Sequence, residues 1–369
     1  MIPFLDLRRE ARELEAELGA AFARVNECGR YVLGPEVEAF EREFAAFCGQ
    51  AHCVGVGNGL DALQLVFRAH ELGPGDEVIV PAYTAVATWM AVTLVGATPV
   101  GVDVCFDTYN LDPELVGAAI TSKTRAIVPV HLFGQPADIP ALVEIASEHG
   151  LVLIEDAAQA HGAQYGGRLV GALAHASTYS FYPTKNLAAL GDGGAVTTDD
   201  ADLADRVRLL RAYGWRERGE SETMGLNSRL DELQAAFLRV KLRRLEAWNR
   251  RRRELAAHYC AGLSAAPGVN LPHVPEWANP VWHLFVVGHD RRDELAVRLA
   301  EMGIGTLVHY EPLPHLTRAY RATGWEEGAL PVAERLATCA LSLPLSPQLS
   351  DEEADVVVAA VLEAAGALE

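Results

Sequence analysis

The chain has little of what marks nucleic-acid-binding, membrane or secreted proteins. Acidic residues outnumber basic ones, 50 to 31, and the formal net charge is -19 at pH 7. Such a surface disfavours broad contact with nucleic acid or anionic membranes, although a local pocket can still bind an anion. No apolar run is long enough to span a bilayer, and the mixed, charged start lacks the apolar core of a signal peptide. We therefore expect a cytoplasmic protein with neither nucleic-acid nor membrane partners.

Cysteine is scarce and is not arranged as a metal site. The six cysteines form no CxxC pair. Cys48 and Cys53 lie close in sequence, but no second cysteine pair or histidine cluster is near enough to complete a zinc pattern. Buried free thiols are the better interpretation, and we expect no bound metal.

Seven short apolar runs between residues 53 and 198 alternate with helix-like stretches. This alternation predicts an α/β fold with a largely parallel sheet. The last two runs, 177–181 and 195–198, are joined by only a short glycine-rich link, so we expect the sheet to be mixed there. Arginine-rich helices and a smaller αβ region follow. We place the boundary between a large domain, residues 1–245, and a small domain, residues 246–369.

A glycine-rich turn, Gly55 to Asp61, follows the first strand and opens a helix. Free backbone N–H groups and the helix dipole make such a turn a natural phosphate site, and Asn58 can cap the helix. The spacing is only half of a dinucleotide fingerprint, because no glycine stands three residues after Gly57 or Gly59. Alone, the turn fits a tight strand–helix connection as well as it fits a phosphate site.

Two single residues could carry chemistry. Asp156 ends the apolar run 151–155, and a carboxylate at a strand end could keep a pyridine nitrogen protonated and so make the ring an electron sink. Capping of a following helix is the plain alternative. Lys185 lies in a stretch short of charge, where partial desolvation would lower its pKa toward the nucleophilic range. Its alternative is an exposed loop lysine.

The order of these features is a stronger signal than any one of them. Asn227 and Arg229, just before a long helix, could also reach a phosphate or a carboxylate, or could simply be solvated residues at a capped helix. A phosphate turn, then a strand-end aspartate, then a lysine after a later strand is the combination that pyridoxal phosphate (PLP) chemistry needs.

Motifs spread over nearly the whole chain resemble those of the DegT/StrS family of PLP-dependent sugar aminotransferases. The motifs span Phe4 to Leu7, Gly34 to Glu36, Gly73 to Val78, Glu155 to Gln159, Ser180 to Lys185 and Asn227 to Gln234. The resemblance implies fold type I, similar to aspartate aminotransferase. That fold has a large domain with a central, mostly parallel seven-stranded sheet and a smaller C-terminal αβ domain.

The resemblance also implies roles for individual residues. Lys185 would form the Schiff base with the cofactor, and Asp156 would pair with its pyridine nitrogen. Four other residues would contact its ring hydroxyl or its phosphate: Gln159, Gly59, Leu60 and Ser180. Asn227 would reach into the site of a neighbouring subunit, so the active enzyme would be a homodimer with shared active sites.

The chain departs from the family pattern at two positions. The family often has Thr-Phe-Ile-Ala-Thr after the second strand, whereas Ala85 stands here in place of the aromatic residue. Trp89 or Tyr83 is expected to stack on the cofactor ring instead, although an aromatic is more often part of the core. Leu60 replaces a threonine common in relatives, which removes a hydroxyl but leaves the backbone N–H for the phosphate.

The segments 213–217 and 225–228 are most similar to the branch that aminates C3 of dTDP-3-keto-6-deoxyhexoses for amino-sugar biosynthesis; amination at C4 is the alternative. Candidate substrate residues are Tyr83, Tyr182, Arg229, His309, Tyr310 and His315. A lone histidine is more often structural than a ligand. By the resemblance, glutamate would leave its nitrogen on the cofactor as pyridoxamine phosphate, and the reversed steps would place it on the sugar nucleotide in a ping-pong cycle.

Three rivals to this interpretation remain. A PLP-dependent sugar dehydratase is disfavoured, because relatives of that type carry histidine in place of Lys185. A non-catalytic PLP-binding sensor would keep the fold, and a nucleotide-binding protein would use residues 55–59 as a dinucleotide loop. The arginine-rich stretch 239–253 fits a solvated helix face better than a nucleic-acid site, given the acidic net charge.

Overall fold

The structure, a computed structural model, describes residues 1–320 and 323–368. Its helices there are α1 (Leu7–Glu13), α2 (Glu15–Cys28), α3 (Pro35–Cys48), α4 (Gly59–Ala69), α5 (Val86–Leu94), α6 (Pro113–Ala119), α7 (Ile139–His149), α8 (Ala201–Leu210), α9 (Glu232–Gly262), α10 (Arg292–Glu301), α11 (Pro331–Cys339) and α12 (Asp351–Gly366). Its strands are β1 (His52–Val56), β2 (Glu77–Pro81), β3 (Thr98–Val102), β4 (Thr124–Ile127), β5 (Val152–Asp156), β6 (Gln164–Tyr165), β7 (Arg168–Leu169), β8 (Ala176–Ser180), β9 (Gly194–Thr198), β10 (Trp215–Glu217), β11 (Glu220–Ser221), β12 (Ala278–Asn279), β13 (Phe285–Gly288) and β14 (Ala340–Leu343).

A seven-stranded sheet lies at the centre, in the order β1-β9-β8-β5-β4-β2-β3. Neighbouring strands from β8 to β3 are parallel. Strand β9 is antiparallel to both of its neighbours, β1 and β8. The predicted, mostly parallel seven-stranded sheet is therefore confirmed, and its mixed part lies at the two strands that the short glycine-rich link joins.

Apolar side chains cover both faces of this sheet, which explains why its strands read as continuous apolar runs. Along β2, Val78 and Val80 face one side and pack with α4, α5 and α8, while Ile79 faces the other and packs with α6 and α7. All three side chains are completely buried. Each contributes about 2 kcal/mol of burial free energy relative to an exposed position.

Helix α9 continues for 31 residues across the predicted domain boundary at residue 245. Its first half packs on α2 and α3, through Leu245 and Trp248 among others. From Leu255 onward it packs instead in a second core with β13, β14 and α12. Ile2 belongs to that second core as well and pairs with Ile304. The division into residues 1–245 and 246–369 stays a prediction, with α9 shared between the two cores.

Some predicted elements have different bounds. The sequence pattern predicts one amphipathic helix over residues 5–28, but that helix is interrupted at Leu14, whose backbone leaves helical geometry. The pattern also predicts a strand over residues 281–287, which begins at Phe285 instead, since Trp282 has a positive φ of 47° that extended chain does not allow. Helix α11 and strand β14 were not predicted.

All six cysteines are free, and Cys48, Cys53 and Cys339 are buried, whereas Cys28 is exposed. No helix in the described part of the chain combines the length and the apolar character needed to cross a membrane. Among the same residues, no group of histidine, cysteine and carboxylate side chains is placed to hold a metal ion.

Candidate active site

Lys185 and Asp156 meet at one edge of the central sheet. Strand β5 ends at Asp156, and its parallel neighbour β8 ends at Ser180, shortly before Lys185. The carboxyl ends of parallel strands lie together, and ligands of open α/β sheets bind there. The two charged groups affect each other's pKa through charge and not through a hydrogen bond. They are therefore close enough for their charges to interact, with no hydrogen bond between them.

The amine of Lys185 is partly enclosed by protein. Burial lowers its pKa from 10.5 to about 8, and the negative charge of Asp156 limits the shift. An amine with this pKa is neutral in about one molecule in ten at pH 7, compared with about one in 3,000 for an unperturbed lysine. It can therefore act as a nucleophile and exchange protons near neutral pH.

The carboxylate of Asp156 is held in place by two hydrogen bonds. Oδ1 accepts from the Ala158 N–H at 3.1 Å, and Oδ2 accepts from the Thr88 hydroxyl at 3.0 Å. The Thr88 hydroxyl also lies 3.2 Å from that of Thr84. Burial raises the pKa of Asp156, against the effect of these bonds and of the Lys185 charge. Sequence reasoning did not assign Thr88 a role; its place one turn into α5, beside a strand end, was the available signal.

The glycine-rich turn has the geometry of an anion site. Asn58 caps α4, accepting a hydrogen bond from the Asp61 N–H at 2.8 Å. The backbone of Gly59 and Leu60 forms the first turn of the helix, where N–H groups point outward. A Cβ on Gly59 would lie 2.7 Å from Cβ of Ser180, so this position requires glycine. The structure thus brings together the three predicted phosphate contacts.

Gln159 links two segments near the site that are distant in sequence. Its Oε1 accepts from the Phe133 N–H at 2.7 Å, and its Nε2 donates to the Tyr310 hydroxyl at 2.8 Å. Burial raises the pKa of Tyr310 to about 12, so the phenol stays neutral. Nδ1 of the adjacent His309 lies 2.8 Å from Oγ of Ser342. Burial lowers the pKa of His309 to about 4. Both residues thus lie near the Lys185 edge of the sheet, and their contact with substrate stays a prediction.

The prediction that Trp89 or Tyr83 stacks on the cofactor is wrong. A stacking ring presents one face to its ligand's cavity, but neither ring has any exposed surface. Trp89 donates to the Pro81 carbonyl at 2.9 Å and packs against Tyr320. Tyr83 donates to the His309 carbonyl and packs among core aromatics. Both are core residues, and Tyr83 cannot contact substrate for the same reason.

The predicted substrate contact of His315 is also wrong. Its side chain is completely buried, with Nε2 3.2 Å from the Glu334 carboxylate, and its ring lies beside Trp89 and Trp325. A histidine with no exposed surface and a fixed partner has a structural role.

The remaining predicted contacts lie at the surface of the single chain. Tyr182 and Asn227 are exposed, and the guanidinium of Arg229 lies over the Tyr213 ring at 5.4 Å. Ser228, next to Asn227, accepts a hydrogen bond from the Gly57 N–H at 3.0 Å. This bond places the loop beside the glycine-rich turn, and the roles of these side chains stay predictions.

Sequence reasoning missed a buried pair beside Asp156. Glu155 accepts hydrogen bonds from Nε2 of His131 at 3.0 Å, from the hydroxyl of Ser177 and from three backbone N–H groups. Nδ1 of His131 accepts from the Ala137 N–H, so the imidazole donates through Nε2 as the neutral form can. Burial alone would raise the pKa of Glu155, but its donors, led by His131, lower it.

The chain is similar to known sugar aminotransferases along nearly its whole length. A curated relative from Streptomyces venezuelae, named dTDP-3-amino-3,4,6-trideoxy-alpha-D-glucose transaminase, is 54% identical over 98% of this chain and 96% of its own. The crystal structure of S. venezuelae DesV in complex with a ketimine intermediate is also 54% identical, with a TM-score of 0.97 over 99% of this chain and 98% of that one. The PLP form of Spr1654 from Streptococcus pneumoniae, described as a sugar aminotransferase, has a TM-score of 0.91 at 28% identity over 96% of this chain and 97% of its own.

These structures confirm the fold expected from the motifs, that of the fold type I aminotransferases. The family model described as the DegT/DnrJ/EryC1/StrS aminotransferase family matches residues 12–362. The chain belongs to the DegT/DnrJ/EryC1/StrS aminotransferase family.

Proposed function

We propose that this protein is a PLP-dependent aminotransferase that moves an amino group from glutamate to C3 of a nucleotide-linked 3-keto-6-deoxyhexose. The observation that carries the proposal is the meeting of Lys185 and Asp156 at one sheet edge, beside the N-terminus of α4. The name of the S. venezuelae relative, a transaminase of a dTDP-3-amino sugar, supports both the substrate class and the carbon.

The residues of the site fit PLP. A phosphate is stabilised by the outward N–H groups at the start of α4, and Gly59 lets it approach closely to Ser180. A buried carboxylate, Asp156, suits a protonated pyridine nitrogen, and Lys185 suits an aldehyde. When bound, PLP supplies an electron sink that stabilises negative charge on the carbon next to the transferred nitrogen.

Each residue has a distinct task in this proposal. Asp156 would accept a hydrogen bond from the ring N–H and keep that proton in place, and Thr88 orients the carboxylate. Lys185 Nζ, with its pKa of about 8, takes a proton from one carbon and returns it to another as general base and acid. Gln159, fixed between Phe133 and Tyr310, lines the ring hydroxyl side.

We further propose that the enzyme is a homodimer in which Asn227 completes the neighbouring subunit's phosphate site. Asn227 is exposed in the single chain although it directly precedes Ser228, which anchors its loop to the glycine-rich turn. The exposed ring of Tyr182, two residues after Ser180, adds apolar surface at the same place.

Borohydride labelling tests the cofactor assignment. The chain contains only three lysines, Lys123, Lys185 and Lys241, so the labelled peptide is unambiguous. Reduction of the PLP-loaded protein should attach the cofactor to Lys185, and Lys185→Ala should lose both label and turnover while keeping its melting temperature. The exposed Lys123→Arg variant should behave as the wild type. Label on another lysine would contradict the proposal.

Product analysis tests the reaction. Holoenzyme, glutamate and a panel of dTDP-3-keto and dTDP-4-keto sugars should give an amino sugar only from the 3-keto compounds, as read by mass spectrometry. Amination of only the 4-keto compounds would instead establish the C4 alternative. Cofactor attachment without any transfer would favour the sensor.

A further inference from the structure

A cavity of about 360 Å³ lies next to Lys185 and has no task in the proposed function. Its wall includes Thr184, the neighbour of Lys185 in sequence, and also His283 and His309, whose pKa values are lowered by burial and then by the charge of Lys185. Most of the remaining wall is apolar, with Phe4, Leu284 and Leu343 contributed by the N-terminal segment and the region of β13 and β14. The cavity can therefore hold a short aliphatic group beside the segment that carries Lys185.

One charged group interrupts this apolar wall. Arg252, on α9, is only 5% exposed. Its Nη1 donates to the carbonyls of Trp282 and Leu345, both at 3.2 Å, while its Nε has no hydrogen-bond partner among the described residues. Burial lowers its pKa to about 10, so the guanidinium stays charged at neutral pH. A buried charge of this kind is costly unless an anion compensates it.

No compensating anion is assigned to Arg252 within the described chain. Glu10, the carboxylate whose charge reaches it, is paired with Lys241 at 2.6 Å. His283, also in the wall, has a pKa well below its usual value because of burial, and is neutral at physiological pH. The cavity thus combines apolar walls with one unbalanced positive charge.

We propose that this cavity binds the side chain of the amino donor, with the distal carboxylate on Arg252 and the methylene groups against the leucine walls. The inference rests on the proposed function, since the donor's amine must reach the Lys185 site. An acidic amino acid with two methylenes satisfies the guanidinium and the apolar wall together. A sugar ring could offer hydroxyl oxygens as acceptors but no negative charge to balance the guanidinium, and it would place its other hydroxyls against carbon. Arg252 therefore determines donor specificity.

The wild-type holoenzyme tests this without any mutation. Glutamate and norvaline have side chains of similar length, but norvaline ends in a methyl group. The donor half-reaction, followed by the cofactor's absorbance, should proceed with kcat/KM about 100-fold higher for glutamate, the loss typical of leaving a buried charge unpaired. Equal values for the two donors would overturn the inference.

Arginine variants sharpen the test. Arg252→Gln should bring the ratio of the kcat/KM values for glutamate and norvaline close to one, and Arg252→Lys should retain part of the preference for glutamate. The exposed Arg250→Gln variant on the same helix should leave the ratio unchanged. An unchanged ratio in a folded Arg252→Gln protein contradicts the inference; if that variant does not fold, the wild-type comparison decides.

The sugar half-reaction separates this inference from the proposed function. Enzyme loaded directly with pyridoxamine phosphate should aminate the keto-sugar without any amino donor, equally well in wild type and in the exposed Arg250→Gln control. Sugar amination without donor discrimination would contradict the inference alone, whereas the absence of sugar amination in both proteins would contradict the proposed function.

Discussion

Two neighbouring carboxylates on β5 have opposite surroundings. Glu155 accepts five hydrogen bonds, from His131, Ser177 and three backbone N–H groups, which exceeds the roughly four acceptor positions of a carboxylate. Asp156, on the opposite face of the strand, accepts only two, from Thr88 and Ala158. A fully satisfied buried carboxylate holds the fold together, whereas one with unused acceptor positions can still bind a ligand.

This difference also shows how the strand end is kept rigid. Glu155 ties β5 to the turn at residues 171–174 and, through His131, to the segment that follows β4. Because consecutive strand residues point to opposite faces, fixing Glu155 fixes the backbone from which Asp156 projects. We expect mutations at the two positions to separate stability from activity.

The largest effect should come from Asp156→Asn. An amide cannot keep the pyridine nitrogen protonated, so the electron sink weakens and the donor half-reaction should slow about 1,000-fold, or roughly 4 kcal/mol. The protein should still bind PLP, and its unfolding midpoint should change little. Rapid-mixing absorbance measurements report the rate; a rate within a few fold of wild type would refute the assigned role.

Glu155→Gln should show the reverse pattern. The amide oxygen of glutamine is a weaker acceptor than a carboxylate oxygen, and the amide NH₂ group would face hydrogen-bond donors. We therefore expect a loss of about 3 kcal/mol in the free energy of unfolding. Urea titration measures this, with the exposed Glu144→Gln variant expected to stay within about 0.5 kcal/mol of wild type. The folded fraction should retain turnover within a few fold. Unchanged stability would remove the distinction between the two carboxylates.

Thr88→Val should produce a smaller, purely functional change. Valine keeps the shape but removes the hydroxyl that orients Asp156 Oδ2 at 3.0 Å. We expect about a tenfold loss in kcat, near the net value of one hydrogen bond to a charged group, and partial rescue by Thr88→Ser. A loss that serine does not restore would indicate packing and not orientation.

The sequence predicted the features of the site that depend only on the order of neighbouring residues along the chain. Strand alternation predicted the sheet, and the positions of Asp156 and Lys185 at strand ends followed from it. The surroundings of Glu155 could not be predicted, because its donors come from turns and from His131, which is 24 residues away in sequence. Burial of Trp89 likewise depends on Tyr320, contributed by the C-terminal part of the chain.

The missing aromatic residue at position 85 is a second case in which packing could not be predicted from the sequence. The sequence reveals that an aromatic is missing there, but only the packing shows that neither Trp89 nor Tyr83 can replace it. Arg252 is one of several arginines in a basic stretch of α9, and its orientation toward a cavity depends on β14 and the N-terminal segment. Contacts between distant segments, rather than local propensity, decided each of these cases.

The smallest expected effect is on the pH dependence of the Lys185 amine, which should respond to a change at Asp156 but not to one at Glu155. Only the neutral amine attacks an aldehyde, so covalent capture of PLP by apoprotein should speed up about fivefold from pH 7 to 8 and then level off, given a Lys185 pKa of about 8. The charge of Asp156 raises that pKa, so Asp156→Asn should move the levelling point to lower pH. Glu155→Gln should leave the levelling point at the same pH.

Stopped-flow absorbance between pH 6.5 and about 10 measures the rate of PLP capture for all three proteins. A tenfold rise per pH unit continuing up to about pH 10 would mean that Lys185 titrates as a solvated lysine, and the enclosure on which its catalytic role depends would be absent.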